Sequence, residues 1–445
     1  MPAAAFTTLG CKVNQYETQR ILDCFEDAGF AIVPFESPAD VYVINTCSVT
    51  SIAESKSRYV IRKATRNNPS AKVIVTGCAA QMATNKDQTL EGADILVPNP
   101  DKLSTLDYLF ASFPEIKRWV KQEPAPKNTI PLQSRTRATL KIQDGCSIYC
   151  SYCSIPYTRP GMISRPYQDI LSEAQRLVDL GHLELILTGV LIGSYGPETG
   201  SKGPDFEDLI EKLVQIKGLG RLRISSIEMR QVTPRLIEIL KTNPYLVPHL
   251  HIPLQSGDSD VLKEMNRPYT QQDYLNLCQT LYREIPHFSL TTDIMVGFPT
   301  ETKERFASTI KVCHEAKYLK AHIFRFSPRY GTPADEWGDP VAPPEKQQRS
   351  HELIKITQNT RTEHYKKFLG QTMRVIVEGK KQKDGLLCGL TDNYLEVHFA
   401  GPQSLAYQMA FVRLDSFKED KMYGEFIGTP FQSPSQKRLT SLKLL

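Results

Sequence analysis

Between Phe6 and about Val97, short apolar runs alternate with helical patterns: FTTLG, QYETQRILDCFEDAGF, VYVIN, SIAESKSRYVIRKAT, KVIVTG and ADILV. Parallel strands cannot be joined by a tight hairpin and need a crossover, so this rhythm predicts an open parallel sheet. KQEPAPKNTIPLQSR, residues 121–135, is polar, proline-bearing and aperiodic, which predicts a linker. Six strand candidates follow: ATLKI, LELIL, RLRIS, HLHI, FSLTTDIMV and AHIFRF, most of them separated by helical stretches such as YQDILSEAQRLVDL and FEDLIEKLVQI. Six are too few for an eight-stranded barrel, so an incomplete barrel is expected. From Gln371 the pattern becomes all-β, with TMRVIVEGK, LLCGLT, YLEVHF, MAFVRL and YGEFIG between Gly, Asn and Asp turns. Strands this short and close suggest a small OB-like barrel. The expected fold class is α/β: an N-terminal open parallel sheet over 1–120, a partial (β/α)6 barrel over 132–370 and an all-β barrel over 371–432.

The length of 445 residues suits two or three domains. With 40% hydrophobic and 23% charged residues, disorder, collagen and coiled coil are excluded as descriptions of the whole. No apolar run is long enough to span a bilayer, and the start MPAAAFTTLG lacks the basic and apolar regions of a leader. A cytoplasmic protein without membrane contact is expected. The net charge of +5 permits a polyanionic partner without demanding one.

Ten cysteines are too sparse for a disulfide scaffold, and patterned thiols in a cytosolic chain more often bind metal or do chemistry. DGCSIYCSYC places Cys146, Cys150 and Cys153 in a Cys-x3-Cys-x2-Cys array after the strand ATLKI. Thiolates this close can converge on one metal centre and leave it short of a fourth ligand. A structural zinc is the alternative, but it would want a fourth Cys or His nearby, and the next His is His182. A second set emerges from the sheet pattern, because Cys11, Cys47 and Cys78 each lie at or just beyond the end of a strand. Open α/β sheets build ligand sites there. The alternative is that these are small apolar residues packed at strand ends.

TLGCKVNQYET, DVYVINTCSVT, VTGCAAQ, DGCSIYCSYCSIPYTR, LTGVLIGSYG, LHIPLQSGDSDVLKEMNR, DIMVGFPTET and FSPRYGTPA together resemble the methylthiotransferase family of radical S-adenosylmethionine enzymes, and the tail resembles the RNA-binding TRAM domain. Lys12 and Val13 in GCKVNQYE look most like the branch acting on N6-threonylcarbamoyladenosine in tRNA. The isopentenyladenosine branch usually carries GCQMN there, and the ribosomal-protein branch GCPKN. One departure is Pro160, where the family usually has Gly after the Arg; Pro fixes φ where Gly does not.

The resemblance implies a transferase that replaces the C2 hydrogen of a modified adenosine, next to the anticodon, with a methylthio group. It implies two 4Fe–4S clusters and S-adenosyl-L-methionine: Cys11, Cys47 and Cys78 holding a sulfur-carrying cluster, and Cys146, Cys150 and Cys153 the one that cleaves S-adenosylmethionine to a 5′-deoxyadenosyl radical. Implied partners are the tRNA anticodon stem-loop, an electron donor of flavodoxin or ferredoxin type and a sulfur donor of unknown identity. The same reaction on isopentenyladenosine, and a non-catalytic iron–sulfur RNA-binding protein, stay open as alternatives.

Thr188 and Gly189, after the second barrel strand, are candidates for the amino end of S-adenosylmethionine, although a tight strand-to-helix turn also needs Gly. Ser226, Glu228, Gln255, Ser256 and Gly297 lie at later strand ends, the active face of a barrel. Lys12 and Arg329 are candidates for the substrate carboxylate, against a solvent-facing Lys and a loop-fixing Arg. Lys56, Arg58, Arg62, Lys63 and Arg66 can track an RNA backbone or form a solvated helix face. In the tail, Lys380, Lys381 and Lys383 beside Tyr394 and Phe399 suit phosphate contact plus stacking, although barrel aromatics are more often core. Cys24, Cys278, Cys313 and Cys388 are expected to pack.

Overall fold

The computed structural model describes residues 1–119, 136–196, 203–379 and 381–429. The expected linker, Lys380 and the last residues of the tail lie outside the described residues. The chain packs as two compact units. The first comprises the described residues of Met1–Gln133 with Asp144–Ile163 and Ser327–Glu336, and the second takes the rest.

In the first unit β1 (Ala3–Thr8), β2 (Ala31–Val33), β3 (Val41–Thr46), β4 (Lys72–Gly77) and β5 (Ile95–Val97) form a sheet in the order β2-β1-β3-β4-β5. Every neighbouring pair is parallel. Alternate side chains enter two separate cores. Phe6, Val41, Val43 and Ile74 face Ile21, Leu22 and Phe25 of α1 (Lys12–Asp27). Ala5, Tyr42, Ile44, Val73 and Val75 face Ile61 and Ala64 of α2 (Ser51–Asn67) and Ala80 of α3 (Cys78–Asn85). The sheet is therefore doubly wound, and the order reverses between β1 and β3, the place where such sheets bind ligands. Neither β2 nor α3 was legible in the sequence. The first is a three-residue edge strand beside Pro34, and the second an eight-residue helix without a strong apolar stripe.

The second unit contains all six expected barrel strands. Arg137–Lys141, Glu184–Thr188 and Arg221–Ile224 form one parallel sheet, and His249–His251, Ser289–Val296 and Lys320–Arg325 another. Isolated bridges Leu222–Leu246 and Ser226–His251 join the two, which gives the incomplete barrel expected from the strand count. Its apolar core includes Leu185, Leu222, Leu250 and Leu290 with Ile170, Leu209 and Tyr274 from the covering helices. The helix Pro343–Lys366 leads to a closed barrel of five strands, Thr372–Val377, Leu387–Thr391, Glu396–Ala400, Met409–Lys418 and Lys421–Gly428.

That small barrel is fastened to the first residues of the parallel strands. Glu184 accepts from Arg221 Nε at 2.6 Å and Arg223 Nε at 2.7 Å, and Arg221 Nη1 donates to Asp392 at 2.8 Å. The Tyr394 ring stacks on His249 at 4.5 Å and lies 5.0 Å from the Arg223 guanidinium. Tyr394 and Phe399 are thus committed to packing, with Phe399 only 1% exposed, and the RNA-stacking reading of these two rings is corrected. Among the described residues no helix is long and apolar enough to cross a membrane.

Candidate functional site

Cys11 is the N-cap of α1, Cys47 directly follows β3, and Cys78 opens α3 straight after β4. Two of the three thiols therefore stand at helix N-termini, where the helix dipole favours a thiolate. The strand ends are drawn together by Asn14, whose Nδ2 donates to Leu9 O and Thr46 O, both at 2.9 Å. Asn45 Nδ2 in turn donates to Asn14 O and Thr18 Oγ1 at 3.0 Å.

Two glycines permit the approach. Gly10 has φ +94°, and a Cβ there would lie 2.8 Å from Cys47 Sγ. Gly77 has φ +96°, and its Cβ would lie 2.3 Å from Thr46 O. Burial pushes the Cys47 thiol up to about 11, with the charges of Cys78 and Cys11 acting in the same direction. Cys11 retains solvent contact, yet the protein packed around its hollow desolvates the thiol and raises it, against the opposing pull of Arg159. The three thiols are thus close enough to feel one another's charge.

Cys146, Cys150 and Cys153 belong to the same compact unit. Cys150 is buried, and Cys146 and Cys153 are partly so. Their loop is closed at its neck, because a Cβ on Gly145 would lie 1.6 Å from Gly161 O. Pro160, the departure noted above, is exposed, and the left-handed turn falls on Gly161 at φ +77°. Arg159 points back into the unit. Its Nη1 and Nη2 donate to Glu17 at 2.9 and 2.8 Å, Nη1 to both oxygens of Asp144 at 2.8 and 2.7 Å, and Nη2 to Asn14 Oδ1 at 2.8 Å. Buried Lys102 completes the cluster with a 2.6 Å contact to Glu17.

Sequence reasoning missed Asn14, Glu17, Lys102 and Asp144 and noted Arg159 only as the residue before Pro160. Asn14 and Glu17 are three residues apart, on one face of a helix, within the GCKVNQYE stretch. That face, opposite two carboxylate-hungry cations far along the chain, left no local signature.

In the second unit, Thr188 is buried and its carbonyl accepts from Ile142 N at 2.9 Å. Gly189 is required by packing, since its Cβ would meet Ile192 Cγ2 at 2.6 Å and Gln143 O at 2.9 Å. Ser226 is exposed at its strand end and bridges His251. Both carboxylate oxygens of Glu228 accept from Arg267 Nη2, at 2.7 and 2.6 Å. Gly297 has φ +72°, faces the stem of Lys346 and donates to Glu301 at 2.8 Å. Ser256 is fully buried. Gln255 is the unusual member, with φ +64° and a buried Oε1 that has no partner among the described residues.

Lys12 is half-buried in the first turn of α1, where its charge opposes the helix dipole. Arg329 is buried, donates to Glu54 at 3.3 Å and lines a cleft of about 170 Å³ with Arg58, Lys86, Tyr330 and Ser48. Lys86 Nζ lies 3.5 Å from the Tyr330 ring centroid. On α2, Arg58 pairs with Glu54, Arg62 with Glu91 and Lys63 with Glu36, as a solvated face would. Cys278 and Cys313 are buried, Cys388 is half-buried and accepts from Gln382 at 3.0 Å, and Cys24 is exposed instead of packed.

The donor set fits iron–sulfur clusters. Buried hydroxyls of Thr8, Ser48 and Ser151 have no partner among the described residues, and each stands next to the thiols or at the strand end that leads to them. Hydrogen-bond donors of this kind are what cluster sulfurs accept. Among the described residues no three Cys, His, Asp or Glu side chains are gathered tightly enough for a single metal ion. A four-iron cube, being several atoms wide, needs its thiolates further apart than one ion does.

Comparison with known proteins bears on the same segments. The Radical SAM superfamily matches residues 140–313, and Uncharacterized protein family UPF0004 matches residues 3–97. The threonylcarbamoyladenosine tRNA methylthiotransferase MtaB of Bacillus subtilis is 38% identical over 425 residues, covering 93% of this chain and 94% of the relative. That of Thermotoga maritima is 34% identical, covering 94% and 96%. The tRNA-2-methylthio-N(6)-dimethylallyladenosine synthase of Methylacidiphilum infernorum is 33% identical, covering 86% of each. Among solved structures the radical S-adenosylmethionine methyltransferase TsrM of Kitasatospora setae, with cobalamin and a [4Fe-4S] cluster bound, superposes with a TM-score of 0.54 at 14% identity, covering 75% of this chain and 77% of that one, a likeness of fold alone. S-adenosylmethionine and [4Fe-4S] clusters are the cofactors these kinships carry. The chain belongs to the radical S-adenosylmethionine methylthiotransferases, on their MtaB-like branch.

Proposed function

We propose that this enzyme inserts a methylthio group at C2 of N6-threonylcarbamoyladenosine in tRNA, beside the anticodon, in the cytoplasm. The observation that carries the reading is that three strand ends of one sheet each deliver a thiol, in the same compact unit as Cys146, Cys150 and Cys153. Cys11, Cys47 and Cys78 hold one cluster, and Cys146, Cys150 and Cys153 the other. When bound, the first would carry the sulfur received from a donor, and the second would pass on the electron that cleaves S-adenosylmethionine.

The remaining roles belong to the chain. Thr188, Gly189, Ser226, Glu228, Gln255, Ser256 and Gly297 form the candidate S-adenosylmethionine pocket, with Gln255 Oε1 accepting from its ribose or amino group. Asn14 holds the ends of β1 and β3 so that Cys11 and Cys47 stay in register. Lys12 and Arg329 receive the substrate's carboxylate. Against Arg58, Lys86 and Arg329 the cleft sets the single carboxylate of Glu54, so an anion entering it finds net positive charge. The electron comes from a flavodoxin- or ferredoxin-type protein.

Nucleoside mass spectrometry of tRNA from cells with and without the gene tests the reaction, with loss of 2-methylthio-N6-threonylcarbamoyladenosine expected. Loss of the isopentenyl derivative instead would move the chain to the other branch, which relatives at 33% identity also represent. Loss of neither would overturn the activity.

A further inference from the structure

Arg159 lies just beyond the second cysteine set, yet its partners Glu17 and Asn14 stand 142 and 145 residues earlier, in the helix that Cys11 caps. Its third partner, Asp144, is two residues before Cys146 and also accepts from Gly145 N at 2.8 Å. We infer that Arg159 is a positioning residue that locks the loop of Cys146, Cys150 and Cys153 to the start of α1, so that the two thiol sets keep one fixed spacing. The inference rests on the reading that both sets carry clusters.

The contacts run without a break. Asp144 is joined to Arg159, and Arg159 to Asn14. Asn14 grips the backbone just before Cys11 and just before Cys47. The same turn is gripped twice more, by Asn85 Nδ2 on Tyr157 O at 3.0 Å and by Asn99 Nδ2 on Thr158 O at 2.7 Å. A guanidinium suits the task and an ammonium does not, because a rigid fork can satisfy two carboxylates in different directions at once. Glu17 is itself held from its other side by Lys102. The neck at Gly145 and Gly161 leaves no slack for the loop to absorb a change at Arg159.

A fixed spacing has a chemical use. The proposed reaction activates a carbon from one set and delivers sulfur to that carbon from the other. A loosened spacing would leave S-adenosylmethionine cleavage intact and uncouple it from product.

The test uses full-length protein reconstituted anaerobically with iron and sulfide, comparing wild type with Arg159→Lys and Asp144→Asn. Arg159→Lys keeps the charge and loses the fork. Its iron content should match wild type, while the magnetic splitting between the two reduced clusters in electron paramagnetic resonance broadens or collapses. The ratio of 5′-deoxyadenosine to methylthio nucleoside should rise roughly ten-fold or more. Asp144→Asn, which leaves the Glu17 and Asn14 contacts in place, should move both readouts the same way by less, and it serves if Arg159→Lys does not fold. Wild-type splitting and ratio in either folded variant would overturn the inference alone. Wild-type protein holding one cluster's worth of iron would overturn the two-cluster reading and the inference with it.

Discussion

Two buried carboxylates in this molecule are each clamped by two buried cations: Glu17 by Arg159 and Lys102, and Glu184 by Arg221 and Arg223. Each cluster adds a partly exposed aspartate, Asp144 in the first and Asp392 in the second. Their surroundings differ. Glu17 lies in the helix that begins at the carboxyl end of β1, among thiols and beside the Asn14 amide. Glu184 opens its strand, and its arginines reach the carbonyls of Leu390 and Thr391 and the ring of Tyr394. The same electrostatics stands at the carboxyl end of one parallel sheet, the end where ligand sites form, and at the amino end of a different one, where it fastens the small barrel and bears stability.

The sharpest way to break the comparison is to remove thiols. Replacing Cys146, Cys150 and Cys153 together with Ala should cut iron from about eight to about four atoms per chain and abolish S-adenosylmethionine cleavage. Cys47→Ala should keep cleavage and lose methylthio insertion, as read by 5′-deoxyadenosine and by nucleoside mass spectrometry. Wild-type product from Cys47→Ala would make the first set packing residues.

Next come the carboxylates. Glu184→Ala leaves Arg223 buried without a carboxylate and Arg221 with Asp392 alone, and should cost about 3–5 kcal/mol in denaturant unfolding, with the iron content of the folded fraction unchanged. Glu17→Ala should cost a similar amount and also lose iron from the first set. Equal iron in the two variants would erase the functional difference between the clusters.

Acid sharpens the second cluster. Burial alone would raise the Glu184 carboxyl, but Arg221 and Arg223 overcome it and hold the group down to about 2. A folded-state value below the unfolded one means that this stability is fully present above about pH 4.5 and is lost as pH falls toward 2, about 3 kcal/mol in all. His364 titrates earlier. Its burial lowers it to about 4, so stability also drains between the ordinary histidine value near 6.5 and 4. Glu184→Gln should flatten the lower window and leave the upper one in place in pH-dependent unfolding.

The smallest effect concerns the tail. Removing the whole small barrel would strip Asp392 and Tyr394 from the buried arginines, so its RNA contact is better tested on the surface. Lys381→Glu with Lys383→Glu should weaken tRNA binding and reduce the salt slope by about one per lysine, at unchanged melting temperature. An unchanged slope would move RNA contact elsewhere.

The alternation of apolar runs and helices was enough to indicate the N-terminal parallel sheet, short of its edge strand β2, and the six strands of the incomplete barrel, and the turn-rich tail its closed barrel, because periodicity is a local property. The placement of Cys11, Cys47 and Cys78 at strand ends was legible for the same reason, and the second set was proposed from spacing along eight residues. Tyr394 and Phe399 were open between stacking on RNA and packing; Phe399 lies in the small barrel's own core, whereas Tyr394 is covered only because His249 and Arg223 dock on it. The Arg159 clamp was equally hidden. Sequence determined that a guanidinium follows Cys153 and that an amide and a carboxylate follow Cys11. Only the tertiary structure decided that these meet, because a buried ion pair is specified by where folding places two distant segments and leaves no periodic trace in either.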